Sequence, residues 1–265
     1  MAHLPGGVPE WPKGTGCKPV GSAYGGSNPP APTPARSPAS APAEASTRAA
    51  RALTDSHYGV HMAHATAEVM IVPASAASWE DLQAVLGTRG EPSRCQCQRY
   101  KMQPGESWAS VGAEELAFRF RQQTNCGHPK LDTTSGLVAY LEGESVGWCA
   151  VEPRAAYPRL LRKTRVPWAG RAEDKTDDSV WAVTCFVTRT GFRRRGISRA
   201  LARAAVDFAR QRGARALEAY PMIMQPGQEV MSVELHVGSR SIFAAAGFAE
   251  VSRPTLRRVV MRIDF

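Results

Sequence analysis

From Val69 onward, apolar and polar residues fall into short blocks that read as separate elements. Val69-Met70-Ile71-Val72 is an apolar run of strand length ended by Pro73. Ser78, with Asp81 three residues on, is an acidic variant of the capping box. Trp79, Leu82, Val85 and Leu86 then recur at helical spacing as far as Gly87. A loop holding Cys95 and Cys97 precedes a second helix over about 113–125, where Leu116, Phe118 and Phe120 stand among acids and arginines. Two strands, Leu137 to Leu141 and Val146 to Val151, flank the turn Glu142-Gly143-Glu144 and predict a hairpin. A basic, proline-containing excursion runs from Pro153 to about Asp178.

Val180-Trp181-Ala182-Val183-Thr184-Cys185-Phe186-Val187 is nearly continuous in apolar character, as expected of a strand buried on both faces. After a basic glycine loop, Ile197, Leu201, Ala204, Ala205, Phe208 and Ala209 share one helical face, and Gly213 stops the helix. Ala216 to Tyr220 returns as a strand before Pro221. Strand, loop, helix and strand imply a right-handed crossover and a parallel pair. A short helix over 239–246, ended by Gly247, and two antiparallel strands, 248–251 and 258–265, complete the chain. The order β-α-α-β-β-β-α-β-α-β-β predicts an α/β fold: one mixed sheet with helices on both faces.

Residues 1–66 have a different composition. They hold ten of the chain's 20 prolines, spaced by Ala, Gly and Ser, too little apolar surface to offset ordering entropy. We expect a disordered segment over 1–66, either a flexible tail or sequence ahead of a start at Met62 or Met70, and a folded domain over 67–265. No apolar run reaches membrane-spanning length and no signal-peptide core follows Met1, so a cytoplasmic protein with reduced cysteines is expected.

The net charge of +9 is concentrated. Between Arg189 and Arg215 stand nine arginines and one acid, Asp207, a local +8 that asks for an anionic ligand. Within it, Arg193-Arg194-Arg195-Gly196-Ile197-Ser198 joins a buried strand to a helix start. Unpaired first-turn amides and the helix dipole favour an anion there, Gly196 and Ser198 leave room for it, and the arginines add charge-assisted hydrogen bonds.

This Arg-x-x-Gly-x-small segment after an apolar strand resembles the acyl-CoA pyrophosphate loop of the GNAT N-acetyltransferases. It lacks the Gly-Lys-Ser/Thr of the nucleotidase P-loop and the three glycines of the dinucleotide fingerprint. The hairpin at 137–151 and the closing Ser241 to Phe248, with its Gly-Phe end, are similar to the same family, and the likeness extends over about 69–265. The resemblance implies a GNAT-like mixed, mostly antiparallel sheet with a central parallel strand pair. It implies acetyl-CoA as acyl donor, with backbone groups of Phe186, Val187 and Thr188 along the pantetheine arm and the pyrophosphate held by Arg193, Arg194, Arg195, Gly196, Ile197, Ser198 and Arg199. The family's frequent general-acid Tyr, four residues before the Gly-Phe, is here Phe243, which cannot donate a proton.

Acetyl transfer to an amine needs a base to free the nitrogen lone pair. Glu218 and Tyr220 share a strand face, and a polar face on an otherwise buried strand implies a cavity. They are the candidate base and replacement acid, against the alternative that Glu218 merely pairs with an arginine. Glu152, at the hairpin's end, is second choice, and His236 and Glu234 rank lower. Cys95-x-Cys97 and Cys126-x-His128 have spacings that fit structural zinc poorly, and no metal is expected. Cys185 has no base spaced to activate it, so direct transfer in a ternary complex is expected. The expected partner is a small-molecule or peptide amine, with no membrane. A homodimer is compatible with the sequence. Two other readings remain open: a CoA-binding module without activity, motivated by Phe243, and a nucleic-acid binder, disfavoured because the basic stretch lacks interleaved aromatics.

Overall fold

The computed structural model describes residues 68–224 and 234–265; the expected disordered segment over 1–66 lies outside the described residues. In chain order the elements are β1 (Val69–Pro73), α1 (Trp79–Leu86), α2 (Gly90–Cys95), α3 (Trp108–Val111), α4 (Ala113–Thr124), β2 (Gly136–Leu141), β3 (Glu144–Pro153), α5 (Pro158–Lys163), β4 (Val180–Thr188), α6 (Ile197–Gln211), β5 (Ala216–Ala219), α7 (Arg240–Ala244), β6 (Ala249–Thr255) and β7 (Arg258–Asp264). The seven strands form one sheet in the order β1-β2-β3-β4-β5-β7-β6. All neighbours are antiparallel except the central pair β4 and β5. The fold is therefore the mixed, mostly antiparallel sheet with one parallel pair that the sequence predicts. Among the described residues no helix is long and apolar enough to cross a membrane.

Local chemistry explains the boundaries. Ser78 caps α1 by accepting from the Asp81 amide, and Asp81 reciprocates to the Ser78 amide, as the capping pattern requires. Three short helices, α2, α3 and α5, fall where the sequence reads as loop, because four to six residues carry too few turns for a periodic signal. Pro254 lies inside β6, which is tolerated because β6 is an edge strand.

The core divides between the two faces of the sheet. On one face, Ile197, Leu201, Ala205, Phe208 and Ala209 of α6 pack on Ala139, Cys149, Val151, Trp181 and Val183. Ala202 and Val206 are buried with them, while Ala204 stays half-buried at the stripe's edge. On the other face, α1 and α4 pack on Val138, Trp148 and Ala150, with Phe120 edge-on to Trp148 at 5.1 Å. Each fully buried large apolar side chain here contributes about 1.5–3 kcal/mol.

The β3–β4 register is broken at one point. Ala150 pairs with Cys185 and Val151 with Val183, so Thr184 is an extra residue, a bulge. It reverses the alternation beyond it: Cys185 and Val187 join the α1 face and Phe186 the α6 face.

The contact of α6 with β3 depends on Gly147. A Cβ there would lie 2.6 Å from Ile197 Cγ2 and 3.1 Å from Leu201 Cδ1. Gly147→Ala should therefore destabilise the fold by about 1–3 kcal/mol, measured by chemical denaturation.

Candidate functional site

β4 and β5 are paired only from Val180↔Ala216 to Val183↔Ala219. Beyond that point Thr184 to Thr188 of β4 have no β5 neighbour, while Pro221 turns the other chain away. The Met222 amide donates to the Gly238 carbonyl and the Arg240 amide to Met222, instead of either joining β4. The parallel pair thus opens into a cleft at its carboxyl end.

The basic loop leads from this end of β4 into α6. Arg194 (φ 63°) and Gly196 (φ 79°) both adopt the left-handed conformation, a pattern that turns successive amides toward one side. No side chain caps α6 at its start and its first turn holds no acid. Apart from its chain neighbours, nothing lies within 4 Å of where a Gly196 Cβ would be, so glycine is needed for its backbone angle and the space beside it is open. Arg193, Arg194, Arg195 and Arg199 are exposed, and among the described residues none is ion-paired. Ser198 Oγ lies 3.2 Å from Thr188 Oγ1, which ties the helix start to the strand end. Phe186, Val187 and Thr188 pair with β3 but lie on the stretch of β4 that β5 leaves free, and the structure brings them together with residues 193–199 at one end of the sheet. The set suits an extended ligand with a multiply charged phosphate end.

Glu218 and Tyr220 are also brought together, but with their polar groups engaged. Glu218 is fully buried. Its Oε2 accepts from Arg154 Nη1 at 3.1 Å and from the Tyr220 hydroxyl at 2.9 Å; its Oε1 accepts from Arg171 and from Arg262 Nη1 at 3.0 Å. Glu173 shares the same arginines. Burial alone would raise the Glu218 carboxyl, but the hydrogen bond and charge of Arg171, with Arg154 and Tyr220, hold it below the usual glutamate value. A carboxylate so engaged is a weak proton acceptor, and Tyr220, 3% exposed, has its proton committed to Glu218. This geometry favours the ion-pair role over the base and acid roles. Phe243 is wholly buried between Phe186 and Phe248, at ring distances of 5.6 and 5.2 Å, and serves as core.

On the sheet face opposite α6, Tyr157, Leu160, Ala182, Tyr220 and Val260 form a separate apolar cluster with Tyr100 against it. Beside it lies a cavity of about 430 Å³. Tyr100, Trp108 and His236 line it, together with the cations Arg99, Arg159, Lys163, Arg165 and Arg258. Tyr100 Oη and His236 Nε2 are 3.3 Å apart. Arg258 donates to the Tyr220 carbonyl from Nε and Nη2, at 3.2 and 2.7 Å, and the turn Glu234–Val237 packs on β4. Two residues of the cavity wall are thus tied to the place where the strands part: Arg258 through the Tyr220 carbonyl just past β5, and His236 through the turn that packs on β4. Burial pushes the Tyr100 hydroxyl above its usual pKa, against the charges of Arg258 and Arg99, so it remains protonated at neutral pH.

Glu152 pairs with Lys101, both nearly buried. Burial raises the Glu152 carboxyl, and Lys101 partly offsets the rise. The thiols of Cys97 and Cys185 interact with each other. That interaction and burial push Cys185 well above the usual thiol value, so it is a poor nucleophile. Cys97 is held below it by Cys185 and by Trp148 Nε1, 3.1 Å away, against burial. The closeness of Tyr100 to His236, 136 residues apart, leaves no local signal in the sequence.

Residues 100–223 match the acetyltransferase (GNAT) family. The chain is also similar in fold to solved structures. One is the GNAT domain of PAT from S. lividans, 18% identical, covering 75% of this chain and 90% of that one, with a TM-score of 0.41. Another is a ribosomal-protein-alanine N-acetyltransferase from Brucella melitensis, 16% identical, covering 74% and 99%, TM-score 0.41. A third is the paia N-acetyltransferase from Thermoplasma acidophilum in complex with coenzyme A, 13% identical, covering 75% and 99%, TM-score 0.38. No curated relative matches the sequence.

Removing the Glu218 charge takes the buried counter-charge away from Arg154, Arg171 and Arg262, which keep only the partly exposed Glu173 and, at Arg262, Asp264. Glu218→Gln should cost about 3–5 kcal/mol in chemical denaturation. Because the folded carboxyl titrates below the unfolded value of 4.5, its contribution in the parent chain is complete above that pH and is lost as pH falls through the folded pKa. The parent's acid unfolding should therefore begin at lower pH than carboxylates of ordinary pKa would set.

Proposed function

The chain carries an acetyltransferase domain of the GNAT family over residues 100–223, and on that premise we propose that it transfers an acetyl group from acetyl-CoA to a primary amine by direct attack. The observation that carries the reading is the pairing of an acid-free arginine loop with a cleft between β4 and β5 that runs up to it. In this reading Arg193, Arg194, Arg195, Gly196, Ile197, Ser198 and Arg199 hold the pyrophosphate. Backbone groups of Phe186, Val187 and Thr188 take the pantetheine arm along the edge that β5 leaves free. The nitrogen–acyl bond forms as the thioester C–S bond breaks, and CoA leaves as the thiolate, which takes a proton from water.

The acceptor enters from the cavity on the face opposite α6. His236, in that wall and hydrogen-bonded to Tyr100, takes the proton of the attacking amine. Glu218 is a positioning group that fixes the excursion after β3 against β5, and Tyr220 supports it. No acid is assigned to the departing thiolate, since Phe243 lies in the core.

Binding is read first by thermal unfolding of the full chain. Acetyl-CoA and CoA at 100 times their dissociation constants should each stabilise it by about 2.7 kcal/mol, ATP should not, and Gly196→Glu should abolish the effect. With transfer measured as thiol release, His236→Ala should lower kcat about 10²- to 10⁴-fold while leaving the acetyl-CoA shift intact. A shift without turnover on a broad amine panel would instead favour a CoA-binding module, the reading that Phe243 motivates.

A further inference from the structure

We propose that the acceptor is an anionic amine: a small primary amine carrying a carboxylate or a phosphate a few bonds from its nitrogen. The inference rests on the acetyl-transfer reading above and adds the chemical class of the acceptor.

Five cations converge on the cavity, and among the described residues no carboxylate lines it. Among the described residues, Arg99 is the one of the five with an acid, Glu91 at 3.1 Å. Arg159, Lys163 and Arg165 have no ion-pair partner among the described residues. Outside the coenzyme loop, many arginines of this chain are answered by acids: Arg119 by Glu106 and Glu115, Arg215 by Asp177, Arg240 and Arg253 by Glu250, Arg257 by Glu234. Gathering like charges around a concave space without that answer is unfavourable unless a ligand supplies the anion.

The cations are also distinct from those of the coenzyme loop. The loop leads into α6 on one face of the sheet, and the cavity adjoins the Tyr157, Leu160 and Ala182 cluster on the other. Arg258 is held in place by the Tyr220 carbonyl and so meets a ligand already oriented. A volume of about 430 Å³ suits a small molecule, with Trp108 and Tyr100 supplying apolar wall. The charges serve the chemistry as well. An ammonium beside several cations loses its proton more readily, which favours the neutral nucleophile that attack requires. The same charges repel polyamines, whose second ammonium has no acid to meet.

The test uses matched amines with the full-length protein: O-phosphoethanolamine against ethanolamine, L-tyrosine against tyramine, and putrescine. Each is measured by calorimetric binding without donor and by thiol release with acetyl-CoA. At least one anionic member should bind and react with a kcat/KM about tenfold or more above its partner that lacks the anionic group, and putrescine should be worst. The two pairs separate phosphate from carboxylate recognition. Arg159→Gln and Lys163→Gln, both at the cavity wall, should each raise KM for the preferred anionic amine about tenfold without moving the acetyl-CoA thermal shift. Equal or better use of tyramine, ethanolamine or putrescine, or no change in KM in the variants, would overturn the inference while leaving acetyl transfer standing. Absence of any acetyl-CoA shift, with anionic amines still bound and weakened by the variants, would sink the acetyl-transfer reading and keep the cavity's ligand class.

Discussion

β4 and β5 are held together over four residues and kept apart beyond them, and nearly every feature of the site depends on that limited pairing. A parallel pair that stayed zipped would satisfy its own backbone groups and leave no cleft. Three local causes stop the zipper. The bulge at Thr184 changes the pitch of β4 just past the last shared pair. Pro221 has no amide to offer a neighbouring strand. Met222 is drawn off by Gly238 and Arg240. The backbone edge exposed on β4 is then continuous with the arginine loop, and Arg258, held by the Tyr220 carbonyl just past β5, belongs to the basic cavity.

The buried charge cluster at Glu218 is what holds β5 while its end diverges. One carboxylate joins β5 to β7 through Arg262 and to the segment after β3 through Arg154 and Arg171. Burying ions is costly, and such a cluster is a poor source of stability compared with apolar packing. Its advantage is directional. Four donors on one carboxylate fix where the 153–178 excursion lies, and that excursion carries Arg159, Lys163 and Arg165 to the cavity. Charge buried beneath the site thereby sets the position of charge exposed within it.

Much of the fold was legible because its signals are local. The Ser78 cap, the α6 stripe, the hairpin at 137–151 and the apolar run of β4 are each written within a dozen or so residues, and each became the expected element. The arginine loop was legible for the same reason, since strand, loop and helix are contiguous. Glu218 illustrates the limit. Its place on a buried strand marked it as unusual, but a base and an ion-paired anchor have the same local pattern. Only the arrival of Arg154 and Arg171 from the excursion after β3, and of Arg262 from β7, separates them.

The sequence by itself determined the order of the strands and longer helices, the parallel crossover and the acid-free arginine loop, because hydrophobic period, glycine placement and charge density act over neighbouring residues. Tertiary structure alone decided where the parallel pair opens, which face Cys185 and Phe186 take beyond the bulge, and that Tyr100 meets His236 across 136 residues. It also gathered Arg99, Arg159, Lys163, Arg165 and Arg258, scattered over the chain, around one cavity. Such convergence depends on how the sheet registers and how the excursion packs, and a linear pattern carries no term for either.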